Sequence, residues 1–126
     1  MAVREELLQV LPEIDLIEDA VLREGVAKTW EDGLSRGGWT PGDIERMPFT
    51  LAKVVDINFA QHVRSVTKIC LAACETFDEI YQGKLSLNRD IVLAGALLHD
   101  VGKLLEMEES GGTFRKSAEG RLVRHP

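Results

Sequence analysis

The chain has 126 residues, a net charge of −6 at pH 7 and a sequence pI of about 5.1. This length predicts one domain over residues 1–126, because two independent cores would each be too small to offset the entropy of the chain. The acidic balance excludes a general nucleic-acid or anionic-membrane binder, since such proteins work through broad basic surfaces. A small charged substrate stays compatible with it.

The sequence predicts neither a signal peptide nor a membrane span. The first residues carry acids where a signal peptide needs an apolar core, and the longest apolar stretch, Ile91–Leu98, is far shorter than the roughly 20 residues that cross a bilayer. Cys70 and Cys74 lie four apart on one predicted helix, a spacing that poorly suits a disulfide. We expect buried, reduced thiols rather than metal ligands, and a soluble cytoplasmic protein.

The hydrophobic periodicity is helical almost throughout and predicts an all-α fold, with no convincing alternating strand. A first amphipathic helix is expected from about Glu13 to Arg36, ending at Gly37 and Gly38. Trp30 and Leu34 are its expected packing residues.

A short connecting helix is predicted next. Thr40 resembles an N-cap with Pro41 in the first turn, and the helix should run through Ile44 and close before Pro48. These elements make up an N-terminal helical part over residues 1–50, followed by the helices of residues 51–126.

The most regular predicted helix carries a seam of alternating three- and four-residue steps, in which His62 is the only polar member. By itself, a histidine in such a seam is more often a core residue hydrogen-bonded to a carbonyl than a ligand. The seam consists of Ala52, Val55, Phe59, His62, Val66, Ile69, Ala73, Phe77 and Ile80.

The following helix is capped by Asn88, with Asp90 in its first turn, and Ile91–Leu98 is apolar on every side. We therefore expect a central, fully surrounded helix. His99 and Asp100 come at its exit, where a desolvated carboxylate without a positive partner is strongly unfavourable.

Two explanations account for this pair. In the first, Asp100 forms an exposed ion pair with Lys103 and His99 lies on the surface, which adds only about 0 to 1 kcal/mol. In the second, a divalent cation neutralises Asp100 while His62, from the facing helix, and His99 complete its coordination. Two imidazoles and a carboxylate suit iron, manganese, cobalt, nickel or zinc alike.

These residues resemble the HD-domain metal-dependent phosphohydrolases, whose pattern is a histidine on one helix, an adjacent His-Asp pair at the end of the next, and a distant aspartate. His62 matches the first ligand, and His99 and Asp100 match the pair within the His-Asp-x-Gly-Lys form. The resemblance implies a helical bundle and a place for Lys103 near the substrate phosphate. His125, in an Arg-His-Pro context, resembles a ligand to a second metal ion in members that hold two.

The family's final aspartate would lie beyond Pro126, so the resemblance leads us to expect a chain truncated at its C-terminus. The alternative is that a second copy supplies the missing cover, in a homodimer or a swapped assembly.

A basic segment near the C-terminus is a candidate for guiding a phosphate, with Arg121 and Arg124 as substrate-binding candidates. Taken singly, each cation is at least as well explained as part of a solvated helix face that starts near Ser117. The preceding acidic stretch from Glu106 to Gly112 predicts a mobile loop at the site mouth. The basic residues are Arg115, Lys116, Arg121 and Arg124.

The leading hypothesis is a divalent-metal phosphohydrolase with one or two ions, acting on a small phosphomonoester or phosphodiester, with a nucleotide-like substrate implied only by the resemblance. In it, Asp100 is both a ligand and a catalytic residue. The alternatives are a catalytically inactive helical signalling or assembly module of the same fold, and a structural bundle in which His62 is an internal hydrogen-bond donor.

Overall fold

A computed structural model describes residues 2–52 and 55–123, and this part of the chain is mostly helical, as the all-α prediction requires. None of its helices has the length and the apolar run needed to cross a membrane. The α-helices are α1 (Val3–Val10), α2 (Ala20–Gly37), α3 (Phe59–Tyr81), α4 (Arg89–Leu98) and the single turn α5 (Lys103–Glu106). A hairpin of β1 (Met107–Ser110) and β2 (Thr113–Lys116) follows, and 3-10 turns occupy Pro12–Leu16, Pro41–Glu45 and Gly120–Leu122.

The N-terminal helix prediction is correct at its end and wrong at its start. Its first residues form a 3-10 turn, because the backbone becomes extended at Ile17 and a new helix begins where Asp19 accepts a hydrogen bond from the backbone N–H of Leu22. The helix ends as expected, with Gly38 in the left-handed conformation at φ 75°. Trp30 is fully buried, as predicted.

The prediction that the His62 helix includes Ala52 and Val55 is wrong. The helix begins at Phe59, because Asn58 caps it by accepting a hydrogen bond from Gln61, whose side chain bonds back to the Asn58 N–H. The described residues before it, 49–52 and 55–57, are instead non-helical, and a bridge between Pro48 and Asn58 encloses them.

The buried face of α3 differs from the predicted seam by about one residue around the helix. Ile69, Phe77 and Ile80 of the seam are exposed, whereas His62 is half-buried at the edge of the core. The core accepts a polar residue here, since the Thr67 hydroxyl donates to the carbonyl of Val63 within the same helix. The buried residues of α3 are Phe59, Ala60, Val63, Thr67 and Cys74.

Helix α4 is capped by Asn88 as predicted, but it is not surrounded on every side. Leu93 and Leu97 are fully buried, whereas Ile91 is 61% exposed, because neighbouring helices cover only one face. On α3 both cysteines are free thiols, as predicted, but the prediction that both are buried is correct for Cys74 alone, since Cys70 is half-buried.

The acidic stretch after Lys103 forms a turn and a hairpin, which corrects the prediction of a loop and of a chain without strands. Gly111 and Gly112 both have positive φ, at 59° and 80°, as a two-residue hairpin turn requires. The helix predicted from Ser117 is also wrong over its described part, where the only helical element is the 3-10 turn Gly120–Leu122, because the Ser117 side chain bonds to α5 and turns the chain there. The predictions for Arg124 and His125 lie outside the described residues.

Helix α2 makes a close backbone contact with α5 at Gly37, where a Cβ would overlap the carbonyl oxygen of Leu104 and the ring of Trp39. That same carbonyl accepts the Trp39 indole N–H at 2.8 Å. The contact fixes the turn that carries Lys103 onto the core.

We expect Gly37→Ala to lower the free energy of unfolding by about 1–3 kcal/mol, because the added methyl group has no space. The matched control is Gly25→Ala in the same helix, where nothing lies within 4 Å and the methyl should stabilise by about 0.5–1 kcal/mol. Urea unfolding of both variants checks this, and equal shifts of the same sign would contradict the close packing.

Asp90 joins the start of α4 to the segment that enters α2. Its carboxylate accepts the backbone N–H groups of Glu18 at 3.0 Å and Asp19 at 2.9 Å. These hydrogen bonds, first that of Glu18 and then that of Asp19, hold the pKa of Asp90 below its usual range.

A lowered folded-state pKa stabilises the protein above the ordinary carboxyl pKa, and this contribution is lost as the pH falls through the folded-state value. Asp90→Asn should therefore lower the melting temperature at neutral pH, and this deficit should shrink as the pH falls below the ordinary carboxyl pKa of about 3.9. Thermal unfolding of both proteins across this range measures the difference. A deficit that does not change with pH would exclude the carboxylate as its source.

Candidate metal centre

Two antiparallel helix ends and the turn after α4 bring the candidate ligands together. His62 lies in the first turn of α3, His99 is the C-cap of α4, and Asp100 follows it. Side-chain exposure is 26% for His62, 34% for His99 and 22% for Asp100, so the cluster is half-buried but open to solvent.

One carboxylate oxygen is the meeting point of the cluster. Asp100 Oδ2 lies 3.0 Å from His62 Nε2 and 3.0 Å from His99 Nε2, and the two Nε2 atoms are 3.4 Å apart. The three ligand atoms lie within 4.8 Å of one another, and this is the group of potential metal ligands that residues 2–52 and 55–123 bring together. The expected convergence of two helices on one point is therefore present.

The ring of His99 is oriented by the helix that carries it. Its Nδ1 lies 2.6 Å from the carbonyl oxygen of Ala96, which can only accept a hydrogen bond, so the proton of a neutral ring resides on Nδ1. The lone pair on Nε2 then faces Asp100. A second hydrogen bond that fixes the tautomer in this way is typical of histidine ligands.

This tautomer makes a positive charge between His99 and Asp100 favourable. When His99 is neutral, a nitrogen lone pair and a carboxylate oxygen face each other across 3.0 Å, and neither can donate a hydrogen bond. A proton or a cation between them removes the repulsion. Two imidazole nitrogens and a carboxylate within a few ångströms suit a divalent transition metal, so the donor set fits such an ion.

Lys103 also approaches the same oxygen. Its Nζ lies 3.3 Å from Asp100 Oδ2 and donates to the carbonyl of Phe49 at 2.7 Å. The ion pair of the surface alternative is thus present, and His99 is exposed as that alternative has it, but the His99 Nε2 also contacts the same carboxylate oxygen. The Phe49 ring also lies beside His62, with centroids 5.2 Å apart.

Sequence reasoning missed the part of Phe49, and no local signal could have revealed it. Phe49 reaches the cluster because its N–H bonds to the carbonyl of Ile57, which closes the loop before α3. The Ala96 carbonyl was also missed, although a histidine three residues after a helical carbonyl is a recognisable C-terminal arrangement.

The basic candidates are dispersed. Arg115 pairs with Glu108 across the hairpin at 3.2 Å, and Arg121 donates to the carbonyl of Lys116. Lys116 lines a cavity together with Lys103. Within the described ranges, no contact connects Arg121 with the histidines, and its place in substrate binding stays a prediction.

The fold is mostly helical, and two imidazoles and a carboxylate meet where two helix ends adjoin. The protein is therefore a helical protein with a cluster of potential metal ligands. The chain belongs to the HD domain family, whose model matches residues 59–125, more than half of its length. HD domains generally bind divalent metals, in keeping with this donor set.

A curated relative is the dihydroneopterin 2',3'-cyclic phosphate phosphodiesterase of Methanocaldococcus jannaschii, which is 42% identical over 55 residues. The match covers 43% of this chain and 21% of the relative, so the chain spans about a fifth of that protein's length. No solved structure matches the chain.

If the cluster holds a metal, Mn²⁺ should raise the melting temperature of the wild-type protein, because binding to the folded state stabilises it by about 2.7 kcal/mol at 100 times the Kd. His62→Ala, His99→Ala and Asp100→Ala should each lose this rise. Thermal unfolding with and without Mn²⁺ measures this rise, and elemental analysis measures the metal bound per chain.

Asp78→Ala, at an exposed position of α3, is the matched control and should keep the full response. An equal response in all five proteins would place the ion elsewhere.

Proposed function

We propose that the chain is a divalent-metal-dependent phosphohydrolase that acts on a small phosphodiester or phosphomonoester. The observation that carries the proposal is the convergence of His62, His99 and Lys103 on one oxygen of Asp100. Membership of the HD domain family supports it, and the phosphodiesterase named above directs it towards phosphodiesters.

In this proposal His62, His99 and Asp100 hold the ion through two nitrogens and one carboxylate. A divalent ion supplies an acidified water and polarises a phosphoryl oxygen. The metal is iron, manganese, cobalt, nickel or zinc, with one or two ions per site, and His125 is proposed as a ligand to the second.

Asp100 has two roles in the proposal. Oδ2 takes the nitrogen contacts, which leaves Oδ1 to accept a hydrogen bond from the attacking water and to orient it. Its half-buried position limits competing solvent and strengthens its electrostatic interactions. The histidines fix the place of this carboxylate from two sides.

Lys103 is the residue proposed to hold the substrate phosphate. An ammonium group has three donors, of which one is used on Phe49 and another faces Asp100. The third can donate to a phosphoryl oxygen and offset the negative charge that grows there in the transition state. Arg121 and Arg124 are proposed to attract the phosphate from solution.

The test is hydrolysis of bis(4-nitrophenyl) phosphate and of a 2',3'-cyclic nucleotide by the metal-loaded protein. Asp100→Asn should abolish turnover, since it loses the negative charge that orients water and binds metal. Lys103→Met should lower kcat by about 10²–10³, the usual cost of removing one stabilising donor.

Lys84→Met removes an exposed lysine remote from the cluster and should leave kcat unchanged. Metal binding by the wild type without turnover of any ester would contradict the proposed enzyme and favour the inactive signalling or assembly module. Turnover that survives in Asp100→Asn would contradict the assigned site.

A further inference from the structure

A cavity of about 320 Å³ opens beside the metal-ligand cluster. One wall is the loop segment 49–52 that precedes α3, and the opposite wall is built from α5, the first residue of β1 and the last residue of β2. Lys103 lies between the cavity and the cluster.

The distances along Lys103 place the two sites next to each other. Its Nζ is 3.3 Å from Asp100 Oδ2 and 2.7 Å from the Phe49 carbonyl, and both Lys103 and Phe49 line the cavity. A phosphate at this ammonium group would therefore have its ester substituent directed towards the cavity or towards solvent.

The wall of the cavity that α5 and the hairpin form is fixed by contacts to the backbone of α5. The Ser117 hydroxyl donates to the carbonyl of Leu105, and its N–H donates to the carbonyl of Glu106 at 2.8 Å. Gly120 packs so closely on Glu106 that a Cβ would overlap that carbonyl. The wall is thus formed before a ligand arrives, which lowers the entropic cost of binding.

The chemistry of the lining decides what the cavity suits. Phe49, Leu51 and Met107 supply apolar surface, whereas the charged lining residues are Lys103, Lys116 and Glu106. A lining of apolar groups with a few polar ones is typical of sites for small organic molecules, and the volume lies at the lower end of their range.

We infer that this cavity binds the ring-bearing organic group of the phosphoester, as an uncharged aromatic or heteroaromatic ring, and that Lys116 donates to an acceptor on that ring. The inference rests on the proposed function for the position of the phosphate at Lys103. It makes the loop segment 49–52 and Lys116 the determinants of substrate choice, separate from the metal ligands.

The test compares the binding of phenylphosphonate and methylphosphonate to the protein in the presence of Mn²⁺ by calorimetry. Wild type should prefer the phenyl compound by about tenfold or more, since the cavity removes the apolar surface of the ring from water. Ala52→Trp, which fills the cavity from its exposed loop wall, should remove the preference and leave methylphosphonate affinity within about twofold.

Ala72→Trp is the matched control, because Ala72 is exposed on α3 and outside the cavity lining, and it should keep the preference. Thr50→Trp fills the same space from the neighbouring position and guards against a tryptophan at 52 that turns to solvent. No phenyl preference in wild type, or an unchanged preference in both loop variants, would overturn the inference.

Lys116 is tested with 4-acetylphenylphosphonate, whose carbonyl is an acceptor, against phenylphosphonate. Lys116→Met should lower the preference for the acetyl compound about fivefold, as expected for one hydrogen bond, while Lys84→Met should leave it unchanged. An unaltered preference in Lys116→Met would remove this lysine from the site.

The binding ratios do not depend on turnover, so the two proposals fail separately. Ester hydrolysis without a phenyl preference would overturn the cavity assignment and leave the enzyme standing. A phenyl preference abolished by the loop variants, in a protein that hydrolyses no ester, would overturn the enzyme and keep the cavity as a ligand site.

Discussion

The carbonyl groups at the end of α4 hold the core and the candidate metal centre together. A helix cannot satisfy its own last carbonyls, and here two side chains take them. The buried Trp30 indole donates to Leu97 at 3.0 Å, and His99 donates to Ala96 at 2.6 Å. Because Trp30 also packs against Phe59, with ring centroids 5.6 Å apart, the same tryptophan fixes the start of α3. The spacing between the two helices that carry the histidines is therefore set by the core.

The short segment after α4 supplies residues to both the ligand cluster and the cavity, which explains why the two adjoin. Within one turn the chain supplies His99, Asp100 and Lys103, and the next residues form the cavity wall. Their positions are interdependent, since α5 lies directly on α2 at Gly37. A substitution can therefore alter the cavity wall without altering the ligand cluster only at side chains, such as Lys116, that leave this backbone contact intact.

The features that sequence reasoning found depend on local chemistry. Gly38 ends α2 because it adopts positive φ, Asn88 caps α4 through its side chain, and His99 and Asp100 follow the last apolar residue of α4. The features that it missed depend on contacts distant in sequence. The loop before α3 is closed by the Pro48 to Asn58 bridge, which no periodicity encodes.

The orientation of α3 illustrates the same limit. Apolar residues occupy two adjoining stripes of that helix, one through Val63 and one through Ile69, and periodicity could not decide which faces the core. The hairpin is different, because two adjacent glycines such as Gly111 and Gly112 are a local signal both for a loop and for a hairpin turn, and the structure has the turn. At the site, the pattern of a histidine and a later His-Asp pair predicts that His62 and Asp100 lie close together. The tautomer of His99 could not be predicted, because it depends on the position of the Ala96 carbonyl.

The tether between Lys103 and the Phe49 carbonyl has a consequence for affinity. A free lysine side chain loses about 1.5–2 kcal/mol of rotamer entropy when it is immobilised. Here the hydrogen bond to the loop and the neighbouring Asp100 order the stem as part of folding, so the phosphate of the proposed substrate would meet an ammonium group that is already in place. Displacement of the loop at residue 49 would free that side chain, and binding of the phosphate would then be weakened by the rotamer entropy lost when the side chain is ordered again.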